Sequence, residues 1–395
     1  MTTVSYQHLN PPLRILMGPG PSNVHPRVQL AMAAPMVGHL DPYFVKIMDD
    51  TVELLRFLFR TQNRLTFPIS GTGSAGMEAA FCNFLEPGDT VVIGVNGVFG
   101  ERMVDNAARC GAEVIPVTAE WGRIVAPEAI EAALKSRKKV KMLALVHAET
   151  STGVLQPLTE ASRLAKQYGA LFMVDTVTSL GGQEVAVDDW GIDICYSGTQ
   201  KCISCPPGLA PFTTNQKALD IMQSRKAKGP SWYLDLGLLS AYWGTGRVYH
   251  HTAPVSMIYA LHEALALIAE EGLDARLKRH QKNADALRAG LAAMGLVMHA
   301  EEGHRLNSLN SVRIPAGVDD LRVRQKLMNE YSLEIGGGLG PLKGKIWRIG
   351  LMGESSSAAN VLFLLHALEK ILVAERCDLE PGAGIKAAGQ ALKKD

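Results

Sequence analysis

The chain has 395 residues, of which 47% are hydrophobic and 20% are charged, so it is long enough to bury a large core. This composition excludes a disordered chain and a coiled coil. Forty Lys and Arg balance 39 Asp and Glu, without the basic excess typical of nucleic-acid-binding proteins. Six cysteines are too few for a disulfide scaffold. No signal-peptide pattern and no bilayer-length apolar stretch is present. We therefore expect a cytoplasmic protein that binds neither nucleic acid nor membranes.

The first part of the chain is an irregular arm followed by an alternating pattern. Pro11 and Pro12 block helix formation, and we expect residues 1–20 to form the arm. From about residue 50 to 215, short apolar runs alternate with segments of helical spacing. The predicted strands lie at 90–95, 113–117, 142–146, 171–174 and 192–196. The predicted helices lie at 78–85, 102–109, from 127 onward, and at 159–168 with Thr159 as N-cap. This alternation predicts an α/β fold with a mostly parallel sheet and helices on both faces.

After Tyr249 the pattern changes to longer helices, which indicates a smaller α+β domain packed on the first. The predicted helices lie at 254–271, 274–294, 319–331 and 358–374. The predicted strands lie at 311–314 and 345–349, with a Gly-rich loop at 336–340. We expect a large domain at 21–272, a small domain at 273–378 and a tail of irregular structure at 379–395.

Residues 71–76, Gly-Thr-Gly-Ser-Ala-Gly, match G-x-G-x-x-G between a short strand and a helix. In a dinucleotide-binding fold this motif requires an acidic residue at the end of the next strand, where it binds the ribose. Residues 94–97, Gly-Val-Asn-Gly, provide none. Backbone N–H groups at the helix start, with the hydroxyls of Thr72 and Ser74, can instead hold a phosphate group. A plain tight turn is the alternative.

Two further residues follow predicted strands. Asp175 comes directly after strand 171–174, at the edge where open α/β sheets bind ligands, although a helix N-cap would look the same. Lys201 follows strand 192–196 and is flanked by small polar residues, which suits a Schiff-base lysine but also a surface lysine. A phosphate cradle, a carboxylate that keeps a pyridine nitrogen protonated, and a lysine that bonds an aldehyde together meet the requirements of pyridoxal 5'-phosphate.

From about residue 14 to 375, the chain resembles the alanine–glyoxylate aminotransferase group of class V aminotransferases. The stretches that carry the resemblance, in chain order, are GPGPSNVHP, ISGTGSAGMEAA, LEPGD, ETSTGVLQP, VDTVTSLGG, YSGTQK, PPG, YHHTAPV and WRIGLMG. The resemblance implies fold type I of the pyridoxal-phosphate enzymes. In that fold, a seven-stranded, mostly parallel sheet forms the large domain and an α+β unit forms the small C-terminal domain.

The resemblance also assigns residues to the cofactor ring. Lys201 would be the Schiff-base lysine, and Asp175 would pair with the pyridinium nitrogen. Val177 would pack on one face of the ring and Phe99 would stack on the other, where relatives often carry Trp. Thr150, where relatives often carry Ser, would hydrogen-bond the ring oxygen.

Further residues are assigned to the phosphate group. Those from the same subunit would be Thr72, Gly73, Ser74 and Gln200. Tyr249 and Thr252 would reach the phosphate from the neighbouring subunit, so the resemblance implies a homodimer with shared sites.

Arg348 is implied as the residue that binds the substrate carboxylate. Its position also suggests this independently, because it lies in a predicted strand beside the Gly-rich loop and a guanidinium matches a planar carboxylate. A structural salt bridge is the alternative.

The expected reaction is ping-pong transamination from a small L-amino acid, alanine with serine as a second donor, to glyoxylate. Serine–pyruvate and ureidoglycine–glyoxylate transamination on the same frame are the alternatives. A nicotinamide-dependent dehydrogenase would leave Asp175 and Lys201 unexplained. Cysteine desulfuration needs a mobile nucleophilic cysteine in the small domain, and Cys377 is the only cysteine after Cys205.

Two clusters of potential ligands are weaker candidates. Cys202 and Cys205 lack a second cysteine pair or a histidine pattern for zinc, so we interpret them as structural. His250 and His251 are expected on a strand, where adjacent side chains point to opposite faces and cannot share a metal. We expect no metal site.

Overall fold

The computed structural model describes residues 8–393, which form fourteen β-strands, thirteen α-helices and two short 3-10 helices. The strands are β1 (Ile15–Leu16), β2 (Leu65–Ser70), β3 (Thr90–Val95), β4 (Glu113–Thr118), β5 (Met142–Val146), β6 (Ala148–Glu149), β7 (Val154–Leu155), β8 (Leu171–Asp175), β9 (Ile194–Tyr196), β10 (Leu209–Thr214), β11 (Leu309–Arg313), β12 (Leu333–Glu334), β13 (Gly336–Gly337) and β14 (Ile346–Gly350). The helices are α1 (Pro26–Met32), α2 (Pro42–Phe59), α3 (Gly73–Phe84), α4 (Val98–Arg109), α5 (Pro127–Lys135), α6 (Thr159–Gln167), α7 (Gln216–Gln223), α8 (Leu236–Trp243), α9 (Val255–Glu271), α10 (Leu273–Ala293), α11 (Asp320–Tyr331), α12 (Ala358–Ala374) and α13 (Ala383–Leu392). The 3-10 helices span Gly340–Leu342 and Gly353–Ser355. None of the helices in residues 8–393 is long and apolar enough to cross a membrane.

Seven strands form the central sheet, in the order β2-β10-β9-β8-β5-β3-β4. Strand β10 pairs antiparallel with both of its neighbours, and the other six strands run in one direction. Every residue of β5 and β8 is buried, as expected for strands that are covered by helices on both faces. The predicted α/β fold with a mostly parallel seven-stranded sheet is confirmed.

Strand β10 was not predicted from the sequence. Its Pro211 lies opposite Pro68 of β2 in the register of the two strands. Proline cannot donate to a sheet ladder, so a sequence pattern that contains it disfavours a strand inside a sheet. All six residues of β10 are nevertheless buried, so tertiary packing outweighs this local preference.

Two large apolar cores lie in the described residues. The first surrounds the central sheet and draws its buried members from residues 28–273. The second contains Met17 and buried residues between 284 and 388. The arm joins the second core because β1 pairs with β12 and Met17 is fully buried. The division into domains at 21–272 and 273–378 stays a prediction that these two cores support.

The expectation of an irregular tail is wrong for residues 383–392, which form α13 and pack against α10. A Cβ placed on Gly290 of α10 would lie 3.0 Å from the carbonyl oxygen of Gly384, so the two helices approach closely. Ala388 is fully buried in the second core. The small residues that suggested a loose tail are the ones that permit this contact. The parts of the predicted arm and tail at 1–7 and 394–395 lie outside the described residues.

Two local predictions also change. Thr159 is the first residue of α6 rather than its N-cap, and Leu158 at the N-cap position makes no side-chain capping bond. Gly336 and Gly337, predicted as part of a loop, form β13 and pair with Arg348 and Trp347 of β14. This pairing holds the strand that carries Arg348.

Candidate active site

The carboxyl ends of three parallel strands bring the predicted site residues together. Strand β8 ends at Asp175, β9 is followed by Lys201, and β2 is followed by the turn at Thr72 and Gly73. A Cβ placed on Gly73 would lie 3.1 Å from Cγ2 of Val177. The turn after β2 therefore contacts the segment that follows β8, and the predicted cradle and carboxylate share one edge of the sheet.

Lys201 extends its amine toward the N-terminal arm. Its Nζ donates a hydrogen bond to the carbonyl oxygen of Pro19. A Cβ on Gly20, whose φ is +104°, would lie 2.6 Å from Nζ, so this position needs glycine. Burial, and then the positive charge of Arg348, lower the pKa of Lys201 to about 8. The neutral amine that a nucleophile or base requires is therefore accessible near neutral pH.

Asp175 is buried, with 3% of its surface exposed. Its Oδ1 accepts a hydrogen bond from the backbone N–H of Val177 at 2.8 Å, and its Oδ2 accepts one from the hydroxyl of Tyr196 at 2.8 Å. Burial raises the pKa of Asp175 to about 6, although both donors and the charge of Lys201 oppose the rise. The next α-helix after Asp175 starts at Gln216, so the alternative of a helix N-cap is wrong.

Helix α3 begins with donors that the protein itself leaves unused. Thr72 occupies the N-cap position but makes no side-chain capping bond. The backbone N–H groups of Gly73 and Ser74 have no acceptor among the described residues. The Oε1 atom of Gln200 is buried without a hydrogen-bond partner. Together with the positive end of the α3 dipole, the free N–H groups of Gly73 and Ser74 form a cradle for an anion.

Arg348 is buried, with 7% of its surface exposed. Its Nε donates to the carbonyl oxygen of Gly337 at 2.7 Å, and its Nη1 donates to the carbonyl oxygen of Thr150 at 3.3 Å. Within residues 8–393 no carboxylate forms an ion pair with it, so the alternative of a structural salt bridge finds no support. Burial lowers its pKa to about 10, although the nearby carboxyl of Glu149 opposes this fall, so the guanidinium stays charged near neutral pH.

A buried carboxylate that the sequence analysis missed lies beside Phe99 and Thr150. Glu149 is fully buried and accepts hydrogen bonds from the N–H of Phe99 at 3.1 Å, the N–H of Ser151 at 3.0 Å and the Oγ of Ser151 at 2.5 Å. Burial raises the pKa of Glu149 to about 7. The hydroxyl of Thr150 has no hydrogen-bond partner among the described residues and remains free for a ligand.

Tyr249 and Thr252 do not join this site within one chain. Tyr249 is 58% exposed and its ring lies 5.3 Å from the ring of His39. Thr252 is exposed as well. Neither hydroxyl has a hydrogen-bond partner in the described part of the chain, so both are available to another subunit.

The expected geometry of His250 and His251 is wrong. Their backbone is irregular rather than a strand, and their Nδ1 atoms lie 2.8 Å apart. His250 stacks on Trp232, and His251 contacts the hydroxyl of Ser70 through Nε2 at 2.7 Å. The pair is therefore held by protein contacts, and no group of three or more metal-ligating side chains occurs among residues 8–393.

The pair Cys202 and Cys205 is buried and reduced. Burial raises the pKa of Cys202 to about 11 and raises that of Cys205 further. A thiolate is the reactive form of cysteine, so these thiols are unreactive near neutral pH. The geometry supports the interpretation of both as structural residues.

The family model for class-V aminotransferases matches residues 27–339. The chain belongs to this aminotransferase family. The crystal structure of a ureidoglycine–glyoxylate aminotransferase from Bacillus subtilis is 43% identical, with a TM-score of 0.96 over 98% of this chain and all of that one. An alanine–glyoxylate aminotransferase structure from Nostoc sp. is 50% identical, with a TM-score of 0.92 over 93% and 98% of the two chains. The alanine–glyoxylate aminotransferase of Drosophila melanogaster is 40% identical over 93% of this chain and 95% of its own length.

Membership of this aminotransferase family implies pyridoxal 5'-phosphate as the cofactor. The site fits this group in three respects that the structure itself provides. An amine with a lowered pKa is available at Lys201, and a buried carboxylate at Asp175 can hold a protonated ring nitrogen. The unused N–H groups at the start of α3 mark a place for the phosphate.

Three residues of the aminotransferase site were not predicted from its sequence. Glu149, Tyr196 and Arg102 each contact a predicted site residue from a separate segment of the chain. Tyr196 ends β9 beside Asp175, and Arg102 lies in α4 near the anion cradle. Tyr196 ends a strand that the sequence predicts, whereas Glu149 lies outside the predicted strands, and nothing in the spacing indicates these side-chain contacts.

The lowered pKa of Lys201 can be measured directly in the aminotransferase without its cofactor. Because burial and Arg348 disfavour the ammonium, we expect the acetylation rate of Lys201 to reach half its maximum near pH 8. Competitive labelling with acetic anhydride and mass spectrometry would give this midpoint. Lys46, whose pKa is raised by Asp50, serves as the internal reference that titrates at higher pH. A Lys201 midpoint as high as that of Lys46 would contradict the analysis.

Proposed function

We propose that this aminotransferase transfers the amino group of L-alanine to glyoxylate. The observation that carries the proposal is the buried guanidinium of Arg348, which forms no direct ion pair among the described residues and lies close enough to Lys201 to lower the pKa of its amine. Such a group suits the α-carboxylate that an amino acid and a 2-oxo acid both carry. The relatives from Nostoc and Drosophila bear the name alanine–glyoxylate aminotransferase, which supports this substrate pair.

A second donor, (S)-ureidoglycine, is favoured by a separate observation. The Bacillus subtilis relative is a ureidoglycine–glyoxylate transaminase, and it is 42% identical over 95% of both chains. Its name and those of the alanine–glyoxylate relatives share glyoxylate as the acceptor and differ in the donor. Glyoxylate is therefore the acceptor in both versions of the proposal.

The roles proposed for individual residues follow from their contacts. When bound, pyridoxal 5'-phosphate supplies an aldehyde that bonds amines and a ring that accepts electrons. The Nζ of Lys201 would hold the cofactor and would act as the base that takes the proton from the substrate Cα. The carbonyl oxygen of Pro19 positions this amine. The carboxylate of Asp175 would accept a hydrogen bond from the protonated ring nitrogen. Arg348 would bind the substrate carboxylate through its guanidinium, whose Nη2 has no partner among the described residues.

The remaining assigned residues would complete the cofactor site. Val177 and Phe99 would cover the two ring faces, and the free hydroxyl of Thr150 would bind the ring oxygen. The phosphate would accept hydrogen bonds from the N-terminus of α3 and its neighbours. These neighbours are Thr72, Gly73, Ser74 and Gln200.

The substrate pair can be tested with purified protein that has been loaded with pyridoxal phosphate. We expect L-alanine and glyoxylate to yield pyruvate and glycine, and the visible absorption band of the bound cofactor to fall with alanine and return with glyoxylate. The variant Lys201→Ala should fold and lose turnover, because no other amine takes its role. A band that responds to ureidoglycine or serine but not to alanine would change the donor. A protein without such a band after incubation with the cofactor would contradict the proposal.

The role of Arg348 can be tested with the variant Arg348→Lys. A lysine supplies one point charge in place of a bidentate fork, so KM should rise about 10- to 100-fold for both the amino and the oxo substrate. Steady-state kinetics would measure this change. Arg313→Lys is the matched control, because Arg313 is exposed on the neighbouring strand β11. Unchanged KM values in Arg348→Lys would move the carboxylate site elsewhere.

We infer that the enzyme works as a homodimer with shared sites. Large apolar side chains are exposed near Tyr249, which is unusual for a surface that stays in water. These are Met36 at 72%, Tyr43 at 67%, Trp232 at 64% and Val248 at 59% exposure. An open cavity of about 420 Å³ on the same surface is lined by Met36, His39 and Thr252 among others. The free hydroxyls of Tyr249 and Thr252 would reach the phosphate in the partner subunit.

Shared sites predict that two defective subunits can complement each other. One subunit carries Lys201→Ala, and the other carries Tyr249→Phe with Thr252→Val. The mixed dimer then contains one site with both defects and one site with neither, so we expect about half the wild-type activity. Co-expression with two different affinity tags would isolate this dimer. Activity no higher than that of the parent homodimers at limiting cofactor would exclude shared sites.

The described cysteines support a location as well. All six are free thiols, and four of them are buried. Free thiols persist in reducing compartments, so we infer that the enzyme works in the cytoplasm.

A further inference from the structure

Arg102 is a cation without an anionic partner beside the anion cradle. It lies in the first turns of α4, and its Nη1 is 3.3 Å from the hydroxyl of Ser74. No carboxylate among the described residues forms an ion pair with it. Arg109 on the same helix is exposed as well, but it pairs with Asp105 at 2.8 Å. Of the two arginines of α4, only the one that faces the cradle therefore lacks a carboxylate partner among the described residues.

The guanidinium of Arg102 is also held in place. Its Cζ lies 5.0 Å from the centroid of the Phe99 ring, a cation–π contact within the same helix turn. The backbone N–H of Phe99 is in turn bound by the buried carboxylate of Glu149. This chain of contacts orients Arg102 although the residue is exposed to solvent.

The charge of Arg102 acts on the centre of the site. Burial raises the pKa of Asp175 and lowers that of Lys201, and the positive charge of Arg102 opposes the first change and adds to the second. The residues so far assigned to the phosphate within one subunit are neutral. A phosphate monoester carries about −1.5 to −2 charges at neutral pH, so neutral donors alone leave most of this charge uncompensated.

We propose that Arg102 binds the phosphate group of the cofactor together with Ser74. Its fork of N–H donors matches phosphate oxygens, and the bond between the two charged groups is stronger than those from the neutral donors at α3. This inference rests on the proposed cofactor site and adds to it a residue that neither the sequence analysis nor the resemblance assigned.

The test compares two cofactor forms that differ only in the phosphate. Dissociation constants of pyridoxal phosphate and of pyridoxal are measured on the cofactor-free protein by absorbance titration. In Arg102→Gln the constant for pyridoxal phosphate should rise about 10- to 100-fold, as for loss of a charge-assisted hydrogen bond, while that for pyridoxal changes less than about twofold. Arg102→Lys should fall between Arg102→Gln and the wild type. Arg109→Gln is the matched control and should bind both forms as the wild type does.

The outcomes separate this inference from the proposed function. A ratio of the two constants that is unchanged in Arg102→Gln overturns the role in phosphate binding. An equal rise of both constants also overturns it, because it would assign Arg102 to the ring through Phe99. Wild-type protein that binds neither form would contradict the cofactor site itself. If Arg102→Gln does not fold, the ratio measured in Arg102→Lys decides, and no change there overturns the inference.

Discussion

Two unlike groups, the carboxyl of Asp175 and the amine of Lys201, are held at one sheet edge where burial disfavours the charge of both. Burial raises the pKa of the first to about 6 and lowers that of the second to about 8. Each favours the charged form of the other, and donors from Val177 and Tyr196 add to the stability of the carboxylate. Because β8 and β9 are parallel neighbours, the residues that follow them emerge on the same side. The chemistry of the site therefore depends on the parallel pairing of these two strands.

The N-terminal arm connects this edge to the part of the chain that carries Arg348. Strand β1 pairs with β12, and Met17 lies in the second core. Further along the arm, the carbonyl oxygen of Pro19 accepts the hydrogen bond from Lys201. A Cβ placed on Gly350, at the end of β14, would lie 1.9 Å from the carbonyl oxygen of Gly18, so the arm runs against that strand. The amine and the strand that carries the guanidinium thus contact one short segment, which explains why the guanidinium lies close enough to lower the pKa of the amine.

Chain order predicted the carboxylate, the lysine and the cradle because each follows a strand of a mostly parallel sheet. The carboxyl ends of parallel strands lie at one edge of the sheet whatever the lengths of the connections. The order of strands and polar residues along the chain therefore suffices to predict that these groups meet. Contacts between side chains from separate segments do not follow from spacing. The bond from Tyr196 to Asp175 and the contact of Arg102 with Ser74 depend on rotamers that only the folded chain defines. The paired rings of His250 and His251 show the same limit, since the expected strand would have separated them.

Glu149 shows how the hydrogen bonds of a helix start can satisfy a buried carboxyl group. Helix α4 begins after Gly97, which has no side chain to cap the helix. Instead Glu149 accepts from the N–H of Phe99, and the hydroxyl of Ser151 accepts from the N–H of Val98. A Cβ on Gly97 would lie 2.3 Å from the Oγ of Ser151 and 2.5 Å from Cδ of Glu149.

Gly97 therefore leaves the space that the carboxyl group of Glu149, from β6, occupies. The cap benefits from the positive end of the α4 dipole, which favours an anion at this position. Phe99 and Arg102, which we propose to contact the cofactor, both lie in the first turns of α4. Glu149 therefore sets the position of both residues, although we assign it no contact with the cofactor itself. The substitution of Glu149 would thus act on the site through the start of α4.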